Sequence, residues 1–170
     1  PQALAGIGVV FQQAALDLDL SVQANLRFHT DLHGLPARVA EERIAQGLQE
    51  LGLEAERARA CRELSSGTRR KVELLRAMLH RPAVLLMDEA TVGLDPASRQ
   101  QLLQAVQALQ RSQGVAVLWA THLVEEVQGA DGVLVLHQGR VRHQGTVDSL
   151  LAETGAGSLQ AAFLALTRAK

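Results

Sequence analysis

The chain has 170 residues, 47% of them hydrophobic and 21% charged, so it can bury the core of one domain or a large part of one. Lys+Arg 17 against Asp+Glu 18 gives a net charge of -1, which argues against a general nucleic-acid or anionic-membrane binder, since both need a basic face. Aromatic residues make up 2% and include no Tyr, leaving little with which to stack single-stranded bases.

The elements follow in chain order. Pro1-Gln2-Ala3-Leu4 has neither an initiator Met nor the positive region of a signal peptide, so the chain is expected to start inside a longer one. Ile7 to Phe11 reads as a short strand. Ser21 can cap a helix running through Leu26, and Gly34-Leu35-Pro36 is a break. Ala40, Ile44, Leu48 and Leu51 then recur at helical spacing up to Gly52. Residues 21–62 therefore read as an all-helical insertion between parts of one sheet. Helices also fit Arg69 to Leu79 and Ala97 to Arg111. Val84 to Met87 and Val115 to Trp119 are continuous apolar runs, as in parallel strands buried on both faces. Val133 to Leu136 is a further strand, Gly139-Arg140 a turn into a strand near Val141, and two short helices lie near 147–153 and 158–167. This alternation predicts an α/β sheet flanked by helices. Nowhere does an apolar run approach the roughly 18 residues that cross a bilayer, and no repeat or low-complexity tract is present.

Several residues could carry chemistry. Asp88-Glu89 ends an apolar strand, which delivers two carboxylates to the sheet edge where α/β folds bind ligands. One could hold Mg²⁺ while the other orients or deprotonates a water; the same pattern also describes a solvated acidic turn. Leu64-Ser65-Ser66-Gly67-Thr68 leads into a helix and offers backbone N–H groups to phosphate, or simply an N-cap. Arg69-Arg70-Lys71 could face phosphate too, although a basic run is usually a solvated face. Gln12 follows the first strand, and its neutral amide could reach a metal-bound water. Asp95 before Pro96 suits a helix N-cap, and His122 follows the strand ending at Trp119. The other five histidines, His29, His33, His80, His137 and His143, show no metal-ligand spacing and receive no role. The single cysteine, Cys61, can form neither an intrachain disulfide nor a cysteine metal cluster.

Taken together, the order Gln12, helical stretch, Leu64 to Thr68, Asp88-Glu89, Asp95 and His122 resembles the nucleotide-binding domain of ABC transporters, from about residue 6 to about residue 150. The resemblance implies an ABC-type P-loop NTPase fold, with a mostly parallel sheet, flanking helices and an inserted helical subdomain. Residues 1–20 would end the catalytic core at the Q-loop and 21–62 would be the helical subdomain that touches membrane subunits. Residues 63–146 would complete the core, and 147–170 would be C-terminal helices.

By the same resemblance, Gln12 contacts Mg²⁺ and the attacking water, Asp88 is the Walker B carboxylate on Mg²⁺, and Glu89 is the general base. Ser65, Ser66 and Gly67 belong to the signature that binds the γ-phosphate of ATP held by the opposite subunit. Asp95 lies in the D-loop, and His122 is the switch histidine. The implied partners are a second nucleotide-binding subunit, with a homodimer expected, and an integral membrane permease. The location implied is the inner face of the cell membrane, with no insertion and no nucleic acid.

This sequence departs from the family pattern at several points. Ser66 replaces a glycine, at a cost of about 1 kcal/mol if that position needs positive φ. Thr68 replaces the signature glutamine, and Ala90 the proline often found after the catalytic glutamate. No Gly-x-x-x-x-Gly-Lys-[Ser/Thr] motif occurs in these residues. The expectation is therefore a cassette truncated before its P-loop, binding ATP weakly or not at all, inactive alone and prone to self-association. A monodisperse monomer over a wide concentration range in light scattering would count against the last point. Runner-up classes are a soluble ABC-type ATPase of DNA repair or translation, and a degenerate cassette acting as an interaction or regulatory subunit. The flavour of the Asp88 to Pro96 and Ala120 to Glu126 segments is that of two-component bacterial exporters.

Overall fold

In the computed structural model, residues 4–168 are described. They divide into two compact units, the first running to Ala120 and the second beginning at Thr121.

The first unit is built on three parallel strands in the order β1 (Ile7–Val10), β2 (Val84–Asp88) and β3 (Ala116–Ala120). Their registers align Val10 with Met87, and Met87 with Trp119. Helices α1 (Val22–Leu32), α2 (Ala37–Glu50) and α3 (Ser66–Met78) come between β1 and β2, and α4 (Pro96–Gln113) comes between β2 and β3. Parallel strands need such crossovers, because a tight turn cannot reverse the chain twice.

Three helices of the first unit begin at side-chain caps. Ser21 Oγ accepts from Ala24 N, Ser65 Oγ from Thr68 N, and Asp95 Oδ1 from Ser98 N. Pro96 occupies the first helical position of α4, and Gly114 closes that helix in a left-handed conformation. The helix expected at Arg69 begins earlier, at Ser66, because Ser65 is the capping residue.

Helix α3 separates two apolar clusters. Its Leu74, Ala77 and Met78 pack with Val10, Leu85, Met87 and Leu102 in the sheet core. Val72 and Leu75, on another stripe of the same helix, and Leu79 just past its end pack with Leu26, Ile44 and Leu48 of α1 and α2. Residues 21–62 thus bury their apolar face on α3 rather than in a core of their own. A Cβ on Gly8 would run into the backbone carbonyl oxygen of Ala77, so the absence of a side chain lets β1 lie directly against α3.

Strand β3 differs from the expectation of burial on both faces. It lies at one edge of the sheet, and Leu118 is 66% exposed on it. Continuous hydrophobicity marked the strand correctly but overstated its cover.

The second unit pairs β4 (Val133–His137) with β5 (Arg140–Gly145) as an antiparallel ribbon. Helices α5 (Val147–Thr154) and α6 (Leu159–Thr167) follow, and Val135, Leu150 and Ala162 form the buried centre. The buried His143 holds β5 to α5 through Glu153 Oε2 at 2.6 Å and Ser149 Oγ at 3.2 Å. Since the Ser149 hydroxyl donates to Thr146 O at 2.8 Å, this is a capping network and not an activated nucleophile.

Substituting Gly8→Ala should push β1 off α3 and lower stability by about 1–3 kcal/mol. Urea denaturation of the two proteins side by side measures that loss directly.

Candidate active site

The strand ends of the first unit gather Gln12, Asp88 and Glu89. Asp88 is the last residue of β2, and Glu89 follows with φ 44, one of three non-glycine residues at positive φ among those described. This left-handed backbone costs on the order of 1–2 kcal/mol, and three hydrogen bonds hold it. Glu89 N donates to Ala120 O at 2.9 Å, and Val92 N donates to Glu89 O at 3.1 Å. The Gln12 amide Nε2 donates to Glu89 Oε2 at 3.0 Å, across 77 residues of sequence. Strain at this point turns the carboxylate to the amide just past β1. Asp88 lines the adjoining depression together with Phe11, Gln12, Gln13, Ala14 and Ala15.

The segment carrying Gln12 is fastened to α3 by buried charge. Arg70 is 7% exposed and Glu73 is 2% exposed. Arg70 Nη1 donates to Glu73 Oε2 at 2.6 Å and to Phe11 O at 2.7 Å, while Nη2 donates to Gln12 O at 2.8 Å. Glu73 Oε1 accepts from Ala15 N at 2.6 Å, and Arg76 Nη1 donates to Ala15 O at 2.9 Å. Two guanidinium groups and one carboxylate therefore bond the carbonyls of Phe11, Gln12 and Ala15 and the amide of Ala15, in a segment that lies outside any helix or strand.

Arg70 thus corrects the expectation of a solvated or phosphate-facing basic run. The overlooked signal was its spacing of three from Glu73, which puts both charges on one helix face amid apolar residues.

A second group forms around the start of α3. Ser65 caps the helix, Ser66 opens it, and the first turn has N–H groups that the helix ladder cannot pair. Ser66 is not among the residues at positive φ, so replacing glycine there brings no left-handed penalty. Gly67 is buried against α4: a Cβ on it would come 2.5 Å from Ser98 Oγ. That hydroxyl in turn donates to Asp95 Oδ2 at 2.6 Å, and hydrogen bonds from Ser98 hold the Asp95 carboxyl below its ordinary range. Ser65, Gly67 and Asp95 are thereby brought into one contact network. His122 is exposed and belongs to the C-terminal unit, two residues past the end of β3.

The donor set suits Mg²⁺, since Asp88, Glu89 and Gln12 offer hard oxygens and Gln12 already lies within hydrogen-bond distance of Glu89. For the phosphates of ATP, these residues supply the first turn of α3 and no glycine-lysine loop.

The parallel α/β core with helices inserted between its first two strands is the architecture of ABC-type ATPase subunits. The chain belongs to the ABC transporter family, whose profile matches residues 1–92. It is 39% identical over 150 residues to the daunorubicin resistance ATP-binding protein DrrA3 of Streptomyces coeruleorubidus, covering 88% of this chain and 47% of that protein. The energy-coupling factor transporter ATP-binding protein EcfA1 of Symbiobacterium thermophilum is 34% identical over 148 residues, covering 86% and 52% respectively. The chain therefore spans about half the length of these curated relatives. Among solved structures, cbiO1 from Clostridium perfringens, part of the ABC transporter complex cbiONQ, superposes with a TM-score of 0.81 at 29% identity. That match covers 88% of this chain and 61% of cbiO1.

Arg70→Met should strand the buried Glu73 carboxylate and cost about 3–5 kcal/mol, whereas pairing it with Glu73→Leu should recover much of the loss. A double-mutant cycle in urea measures the coupling.

Proposed function

We propose that the chain is the part of an ATP-hydrolysing ABC transporter subunit that carries the Q-loop, signature, Walker B and D-loop residues. The observation that supports this best is the 3.0 Å hydrogen bond from Gln12 to Glu89, which joins the two groups that would handle the attacking water. Mg²⁺ bound with ATP would be held by the Asp88 carboxylate and the Gln12 amide, and would neutralise charge on the phosphates. Glu89 accepts the proton of the water, and its left-handed backbone keeps the carboxylate facing Gln12. Gln12 orients that water through a neutral amide, which can come and go without a charge penalty.

Ser65, Ser66 and Gly67 present the N-terminus of α3 to the γ-phosphate of ATP on a second subunit, and Asp95 braces Gly67 through Ser98. His122 is the switch histidine, a donor to a γ-phosphate oxygen. ATP then acts as the link of a two-fold dimer, and hydrolysis releases it. The helical segment 21–62 passes this closing and opening to a membrane permease, which holds the subunit on the inner face of the membrane. Among the described residues, no helix is long and apolar enough to cross a membrane.

Export is the direction we favour, on the resemblance of the Asp88 to Pro96 segment to two-component exporters and the 39% identity to a resistance protein. The 170 residues taken alone bind ATP weakly and do not turn it over, because they contain no glycine-lysine phosphate loop.

In the complete subunit, Glu89→Gln should lower ATP turnover by at least about 10²-fold while retaining ATP binding. Steady-state phosphate release and equilibrium nucleotide binding separate the two effects, and near-normal turnover would remove Glu89 from the role of base. Asp88→Asn should instead weaken Mg²⁺-dependent nucleotide binding, and an unchanged Mg²⁺ titration would remove it from the metal.

A further inference from the structure

The histidines given no role by sequence spacing do not stay apart. His29, in the last turn of α1, and His33, the residue closing that helix, lie one turn apart and their rings meet. Though nearly fifty residues away in the chain, His80 follows α3 in the turn before β2 and meets both. Ring centroids are 4.6 Å apart for His29 and His33, 5.7 Å for His29 and His80, and 3.9 Å for His33 and His80. One ring nitrogen from each lies within 4.8 Å of the others, and this is the only such group of three potential ligands among the described residues.

From this juxtaposition of His29, His33 and His80, we propose a binding site for a divalent transition metal of the zinc, nickel and copper group, clamping α1 to the turn between α3 and β2.

Two further observations point to a ligand. His29 Nε2 and His80 Nδ1 are buried and make no hydrogen bond. Leaving such atoms unpaired costs on the order of 1–3 kcal/mol each, and a shared metal ion would satisfy both. The opposite nitrogen of His80, Nε2, lies 3.1 Å from the carbonyl of Ile7 at the start of β1. A carbonyl can only accept, so Nε2 carries the hydrogen and Nδ1 presents its lone pair. Ligating histidines are oriented in just this way, by an N–H donated to a carbonyl behind them.

The environment also favours the neutral form of His29 and His80, as ligation requires. Burial, then the Arg76 charge and the two neighbouring imidazoles, hold His29 down at about 4. Burial and His33 likewise lower His80, the Ile7 hydrogen bond opposing them.

The donor set selects the metal class. Three imidazoles with no carboxylate among them suit borderline ions and not Mg²⁺ or Ca²⁺, which take oxygen. Zn–N bonds of about 2.0–2.1 Å put tetrahedral nitrogens about 3.3 Å apart. The nitrogens already lie within 4.8 Å, and ligation requires His33, now stacked on His80 at 12°, to turn its ring so that both lone pairs meet one ion. Arg76 and Arg43 stand near enough to affect these histidines, and their positive charge opposes any weakly held cation. Only cations that bind imidazole nitrogen strongly overcome that repulsion. This site is separate from the Asp88, Glu89 and Gln12 group, and its metal would not exchange with Mg²⁺.

The test uses the full chain without an affinity tag, stripped with EDTA and titrated with Zn²⁺ by calorimetry and with Co²⁺ by visible absorption. The proposal expects one Zn²⁺ per chain, a Co²⁺ d–d spectrum without thiolate charge transfer, and a melting temperature raised by Zn²⁺. A large excess of Mg²⁺ should not displace it. His33→Ala and His80→Gln should each weaken Zn²⁺ binding at least about tenfold, while His137→Ala leaves it unchanged. Circular dichroism confirms that each variant is folded. Should His80→Gln fail to fold, His33→Ala, which adds no steric bulk, carries the test. Absence of stoichiometric Zn²⁺ binding by the wild-type chain, or equal affinity in folded His33→Ala, would overturn the proposal.

Discussion

Arg70 and Glu73 are two opposite charges taken out of water on one helix, and the arrangement of the first unit depends on what they do with their remaining hydrogen-bonding capacity. A buried ion pair recovers its desolvation cost only when every donor and acceptor finds a partner. Here the surplus donors of Arg70 go to the carbonyls of Phe11 and Gln12, and the second oxygen of Glu73 goes to the amide of Ala15. The segment that leaves β1 is thereby held to α3 without regular structure of its own. Since the start of α3 carries Ser65 and Gly67, displacement of that end of the helix and displacement of Gln12 are mechanically linked.

The same helix divides the apolar interior. One stripe completes the sheet core, and another completes the cluster beneath α1 and α2. Helices α1 and α2 therefore cannot shift on α3 without disturbing contacts that adjoin the Gln12 segment. The His29, His33 and His80 group lies on this boundary too, since His80 leaves α3 and reaches back to β1 through Ile7. A metal there would stiffen the junction between the helical segment and the sheet. Left-handed backbone occurs at Arg81, directly after His80, and at Glu89, where the carboxylate is turned to Gln12.

The expected α/β class, the parallel core strands and the helical stretch between the first two of them were legible because they depend on local signals. Ser21, Ser65 and Asp95 cap the helices that follow them, and apolar runs gave β1, β2 and β3 to within a residue or two at their ends. Asp88-Glu89 at a strand end and Gln12 past another were recognisable from order and spacing. Exposure of β3 was not, since an apolar run says what a strand could bury and not what covers it.

What the sequence determined by itself was therefore periodicity, caps and motif order, all of which act over a few residues of chain. Only the tertiary structure decided which distant groups share a place. It put Gln12 on Glu89 across 77 residues, and brought His80 to a pair of histidines on α1. It also buried Arg70, in a basic run that reads as a solvated face. The physical reason is the same in each case. A polar side chain's environment is set by the packing of elements against one another, and that packing is determined by the summed burial of many apolar residues far from the polar group in sequence.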